Sequence, residues 1–380
     1  MLWPPSEARS RAVAQAAADP ALDWEAFART VDRHRAAAFA HDGLTRAGAT
    51  AAPAAFRATL ARRAAADGLI NRAYVREGER LVAALRDAGL EVMVLKGAGL
   101  VAAAYGDLGV RQIRDLDLLV RPEALGRAGE ICEAAGYVRL QPPPGSTPAQ
   151  LAAWMRWRKD ILYRHGASGL TLELHYRPTL SPGLAARLDL WSAGAEVTLP
   201  GGGTTPAATG EALYAYLCLH GGFCAWFRLK WLADIAALTA GLAPDALAGL
   251  HEAARARGAG RASAQALLLV EQVFDRPLPP DLRRRIVSDR TVRRLVRFAL
   301  AVLSDPREPE QVPLRSTAIQ LHRLLLIEDW RDRIEDVRGM LVDWPLVFAL
   351  PLPRPLWFLY PLLRGPAWAL RKLRRRRPSS

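Results

Sequence analysis

Cysteine is scarce in this chain of 380 residues: there are three, Cys132, Cys218 and Cys224, and no two form a CxxC pair. That spacing excludes a zinc ribbon and a disulfide-built scaffold. Each sits in an apolar, helical-looking context, which reads as a buried free thiol in a reducing compartment. Acid is scarce as well. Asp and Glu total 38 against 52 Lys and Arg, for a formal net charge of +14 and a pI of about 10.4. Such a balance predicts attraction to polyanions: nucleotides, nucleic acid or anionic lipid. Nearly all of the cations are arginine, so a GC-rich genome accounts for part of the excess. The opening MLWPPSEARS lacks the basic-then-apolar order of a secretory signal, and the expected location is the cytoplasm. Long apolar runs are missing too. The aromatic stretch from Trp344 to Leu370 is broken by prolines and by Arg354, short of the ~18–20 apolar residues that a membrane span needs.

What is present is mostly helix-forming. Hydrophobic content is 51% and charged content 24%, the balance of a globular protein with cores of ordinary size. Residues 1–90 read as Ala/Arg-rich amphipathic helices broken near Asp19-Pro20, Gly48 to Pro53 and Asp67-Gly68. At Glu91 the character changes. EVMVLKG is a short β-branched run ending in glycine, AGLVAAAYGD is helical, and DLDLLV alternates as a strand. A helix follows that ends at Gly136, and then a Pro/Gly/Ser-rich loop from Gln141 to Thr147. The helix AQLAAWMRWRK leads to two strands, DILYRH and LTLELHY. The spacing predicts a small mixed sheet over 91–200, a helical domain over 205–340, and an apolar, proline-rich segment with a basic tail over 341–380. The expected fold class is α+β, a small mixed-sheet core embedded in a mainly helical protein.

Three features of the core share one chemistry. Asp115 and Asp117 stand two apart on a strand, so alternation turns both carboxylates to one face. Oxygen-rich anions at that spacing suit Mg²⁺. Lys96-Gly97 closes one strand and opens the next helix, where glycine lets backbone N–H groups approach a phosphate. Glu173, in LELHY, offers a third carboxylate, and an exposed edge glutamate is the plainer alternative. Three carboxylates with two metals and a phosphate-holding turn meet the needs of in-line nucleotidyl transfer. Asp107 reads as a loop residue. Arg111 and Arg114 suit either phosphate or a salt bridge to the acids. His175, two residues past Glu173, suits a structural hydrogen bond or a catalytic helper equally. Lys230 and Asp234, spaced i and i+4, suit a helix-surface pair. Trp226 and Trp231 read as core.

The stretch LKGAGLVAAAYGDLGVRQIRDLDLLV resembles the signature of a bacterial nucleotidyltransferase family that is otherwise uncharacterised. LELHYRP and the segment from His220 to Asp234 extend the resemblance over roughly residues 70 to 350. It implies metal ligation by Asp115, Asp117 and Glu173, and a cleft in which His220 and Lys230 face nucleotide or acceptor. The Gly-Ser usual in the wider superfamily is replaced here by Lys96-Gly97, which leaves the Lys96 cation, with Arg114, to meet the triphosphate of an NTP. Members stand beside secondary-metabolite and polysaccharide gene clusters, so peptide, glycan, small-molecule and RNA acceptors are all open. Two other readings stand beside the transferase: a nucleotide-binding protein that keeps the fold without turnover, and an adaptor whose basic tail meets nucleic acid or an anionic membrane from its periphery.

Overall fold

The computed structural model describes residues 5–360 together with 362, 363, 365 and 366; most of the basic tail lies outside the described residues. Helices surround a single mixed sheet, in agreement with the α+β expectation. Its strands are β1 (Val92–Val94), β2 (Leu116–Val120), β3 (Tyr137–Gln141), β4 (Asp160–His165), β5 (Thr171–His175), β6 (Gly194–Thr198) and β7 (Thr204–Ala208). In space they run β3-β4-β5-β2-β1-β7-β6. β2 pairs antiparallel with β1 and parallel with β5, which puts it at the centre. Every residue of β2 is buried, as expected of a strand covered on both faces.

Three strands are not foreseen by the sequence. β3 runs straight into the proline-rich loop, β6 is an exposed edge, and β7 reads TTPAA, with neither alternation nor bulk. β7 is placed by packing instead: a Cβ added at Gly99 would lie 2.6 Å from Ala207 Cβ, so small residues there let the Ala98–Ala104 helix sit close on the sheet. The sheet thereby extends to Ala208, beyond the expected core of 91–200.

The break expected at Asp67-Gly68 does not occur: one helix of 34 residues spans Ala54–Asp87. A lone helical glycine costs only ~1 kcal/mol against alanine, and tertiary contacts exceed that here. Asn71, fully buried, donates to Leu108 O at 2.6 Å and Arg111 O at 2.9 Å and accepts from Ile113 N at 2.7 Å. Tyr74 donates to Arg114 O at 2.6 Å. This helix therefore fixes the loop that delivers Asp115. The run expected as one helical segment from Glu211 onward is interrupted between Gly210–Phe223 and Leu229–Leu238. Ala225 and Trp226 there adopt positive φ, and the Trp226 ring fills the space over Gly221. The kink turns the ends of both helices toward one cavity.

The main core joins the sheet to these helices, and a separate small core around Val31, Leu44 and Leu60 organises the N-terminal helices. The described part of the C-terminal segment packs on the Pro148–Trp157 helix: Trp154 and Trp344 rings are 4.7 Å apart, and Val347 and Tyr360 bury Ala153. Among the described residues no helix is long and apolar enough to cross a membrane.

Candidate active site

Parallel pairing of β2 with β5 sets Asp117 opposite Glu173, so both side chains leave the same face of adjacent strands. His175 follows on that face and is completely buried. Its Nε2 lies 3.1 Å from Asp117 Oδ1 and 3.3 Å from Glu173 Oε2. The ring thus ties the two carboxylates together, which gives the structural alternative for His175 a definite geometry. Asp115 precedes β2 by one residue and is half-exposed. It shares a partner with Asp117: Lys96 Nζ lies 2.8 Å from Asp117 Oδ1 and 3.8 Å from Asp115 Oδ2.

Such a cluster is stable only because opposite charges are interleaved. Burial pulls the Lys96 ammonium down, but Asp115 and Asp117 outweigh it and hold its pKa well above the ordinary lysine value. Burial pushes Asp117 and Glu173 up. Lys96 and then His175 outweigh this at Asp117, and His175 and then Lys96 do so at Glu173, which falls to about 2. Both are carboxylates at neutral pH. Asp117 Oδ2 is buried without a hydrogen-bond partner. A buried, unsatisfied carboxylate oxygen beside two further acids suits a hard divalent cation. Asp117, Glu173 and His175 bring ligand atoms within 4.8 Å of one another. Asp115 stands at the rim of that group.

The cluster opens into a cavity of about 390 Å³. Gly97 lines it with φ 65° and ψ −119°, a conformation open essentially to glycine alone, at the N-terminal cap of the Ala98–Ala104 helix. Arg114, His220 and Lys230 also line it. Burial, with Lys96 nearby, lowers His220 to about 3, so its ring is neutral. Burial, with Arg111 nearby, lowers Lys230 to about 7, and its Nζ lies 3.4 Å from Gln112 O. Of the alternatives for Arg111, the salt bridge is formed, but to a different acid. Its guanidinium holds Asp234 through bonds of 2.6 and 2.8 Å, and Tyr105 adds a third at 2.8 Å. Asp234 is therefore held in a buried pair by the loop before β2 and makes no ion pair with Lys230. Trp226 is core, completely buried, whereas Trp231 lines the cavity with its ring 5.2 Å from His220.

Several residues at the site escape a sequence reading. Arg35 comes from the N-terminal helices and faces the cavity from a left-handed turn with φ 53°. Arg158, Lys159 and Asp160 line it from the start of β4. Lys159 binds Asp160 and lies 3.8 Å from Glu173 Oε2. Only the convergence of distant segments brings these residues in, and no local motif marks them.

Adjacent strands bearing paired carboxylates, a strand–glycine–helix turn and a cationic cavity define a nucleotidyltransferase-type protein. The chain belongs to the uncharacterised nucleotidyltransferase family, whose profile matches residues 20–275. No curated protein matches it. Among solved structures it is similar to the antibiotic-resistance factor ANT(2'')-Ia in solution, described as showing substrate-regulated conformation dynamics. The identity is 15%, over 47% of this chain and 89% of that one, with a TM-score of 0.33.

Proposed function

We propose that the chain transfers a nucleoside monophosphate from an NTP to a hydroxyl of an acceptor, with divalent-cation dependence. The observation that carries this reading is the Asp117–Glu173 pairing: Glu173, Asp115 and Lys96 line a cationic cavity, and Asp117 Oδ2 is buried beside them without a partner. Asp117 and Glu173, with Asp115 at the rim, would hold Mg²⁺, which supplies Lewis-acid activation of the acceptor hydroxyl and charge neutralisation at the leaving pyrophosphate. Glu173, with a pKa of about 2, is a weak proton acceptor at neutral pH, so its contribution is charge and ligation more than general-base chemistry. His175 holds both carboxylates in register. Gly97 leaves its backbone open to the phosphates. Arg114 and Arg35 make no ion pair among the described residues, which leaves two guanidiniums beside Asp115 free for phosphate oxygens. In the free protein Lys96 is the counter-ion of Asp117; once relieved of that duty, its ammonium lies on the same wall as Gly97 and can face phosphate.

The second reading, a nucleotide-binding protein without turnover, is favoured by one observation: Lys96 already neutralises Asp117. Label transfer decides between them. With NTP carrying label in the α-phosphate, the protein should transfer label to peptide, glycan, small-molecule or RNA acceptors, and Asp117→Asn should abolish transfer while retaining the fold. Transfer undiminished in Asp117→Asn would remove the assignment.

A further inference from the structure

The strand order gives the cavity two ends. Lys96 and Gly97 leave β1 at one end, Asp117 and Glu173 lie in the middle on β2 and β5, and Arg158, Lys159 and Asp160 enter from β4 at the other. If the triphosphate occupies the end with Gly97, Arg35 and Arg114, the acceptor occupies the end beyond Glu173. Two guanidiniums line it there. Arg158 lies 5.2 Å from the Trp154 ring and 5.3 Å from the Trp344 ring, and its side chain makes no ion pair and donates no hydrogen bond among the described residues. Its Nε is buried and unsatisfied. Arg323, from the Arg315–Leu326 helix, lies 4.4 Å from the Phe223 ring and holds Asp336 with one terminal nitrogen, while its Nε also is buried without a partner.

An arginine stays charged at any relevant pH, and burying its donors without an anion is unfavourable. Aromatic faces compensate the charge in part and fix its position, but they satisfy none of its N–H groups. Lys159 does not supply the missing anion, because it is itself cationic. Asp160 is bound to Lys159. Asp160 acts on Arg158 only through its charge, with no ion pair or hydrogen bond between them, so the Arg158 guanidinium is left open to an anion from outside the chain.

We propose that the acceptor carries an anionic group, a phosphate or a carboxylate, and that Arg158 with Arg323 receives it while the acceptor hydroxyl points toward Glu173. This rests on the transferase reading for the word acceptor, but the anion site itself can be tested alone. The full chain is loaded with Mg²⁺ and a non-hydrolysable NTP analogue, then titrated by calorimetry with inorganic phosphate and, separately, with malonate. At least one anion should bind without displacing nucleotide, and the tighter of the two names the group. Arg158→Gln should weaken that binding about tenfold more than it weakens nucleotide, and Arg158→Lys should weaken it less. Thermal midpoints of both variants verify the fold. Displacement of nucleotide by the anion, unchanged anion binding in Arg158→Gln, or no binding of either anion in the millimolar range would each overturn the proposal. If the nucleotide analogue itself fails to bind, the transferase reading fails, and titration of the unloaded chain still tests Arg158.

Discussion

Replacing Lys96 by Met probes the charge balance on which the acidic cluster depends. The ammonium lies 2.8 Å from Asp117 Oδ1, with the lysine side chain 11% exposed and the aspartate side chain 0% exposed. Almost no water is available to either charge. Removing one partner of a buried pair costs ~3–5 kcal/mol, because the remaining charge is left desolvated and unpaired. The lower end applies here: His175 still bonds Asp117 Oδ1, and methionine fills the volume of the lysine stem. In EDTA, Lys96→Met is therefore expected to be about 3 kcal/mol less stable than the parent chain. Mg²⁺ should then stabilise the two proteins unequally, because the variant has lost the ammonium that competes for Asp117. A ligand at ~100 times its dissociation constant adds about 2.7 kcal/mol, enough to restore most of the loss. Urea unfolding followed by circular dichroism, in EDTA and then in Mg²⁺, reads both effects. Equal midpoints in EDTA, or a smaller Mg²⁺ effect in the variant than in the parent, would refute the reasoning.

Two further outcomes are expected. Gly97→Ala has room for its methyl group, since the nearest atom would be Ile113 Cγ2 at 3.8 Å, but it must hold φ 65°. It should lose ~1–3 kcal/mol through backbone strain and bind NTP more weakly; an unchanged thermal midpoint would contradict the turn geometry. The second concerns pH. Burial, then Arg33 and Arg228, lowers His34 to about 4, and its Nδ1 accepts from Leu229 N at 3.2 Å, at the start of the helix that carries Lys230. The unfolded ring takes up a proton near pH 6.5 and the folded ring does not until about 4, so stability is complete above 6.5 and is lost as pH falls through that window. Between pH 7 and pH 5 the loss from this group should be about 2 kcal/mol by urea unfolding, and His34→Gln should remove it. An equally steep decline in His34→Gln would show that other groups govern the acid limb.

Much of the core was legible in the sequence because its signals are local. DILYRH and LELH each alternate and are bounded by turn residues, and both are strands. Gly136 follows its helix with φ 92°, as a helix-terminating glycine should. Other elements are set by distant partners. TTPAA is a strand because β1 and β6 flank it, and the long N-terminal helix survives Gly68 because Asn71 and Tyr74 anchor it to the loop before Asp115. The same division holds at the site. Asp117, Glu173, Lys96 and Gly97 are legible from spacing, and register then brings them together. Arg35, Arg158 and Arg323 come from three distant segments of the chain and share a cavity only after folding. Arg111 is the instructive middle case: sequence offers phosphate or salt bridge, and only the Asp234 geometry chooses.

The most direct test of the central claim is calorimetric titration of NTP into the chain with and without Mg²⁺, repeated on Asp117→Asn and on the Asp115→Asn/Asp117→Asn pair. The account predicts Mg²⁺-dependent NTP binding in the parent chain that is lost in the double variant, with thermal midpoints showing that both variants remain folded. NTP binding that is indifferent to Mg²⁺, or that survives undiminished in the folded double variant, would contradict it.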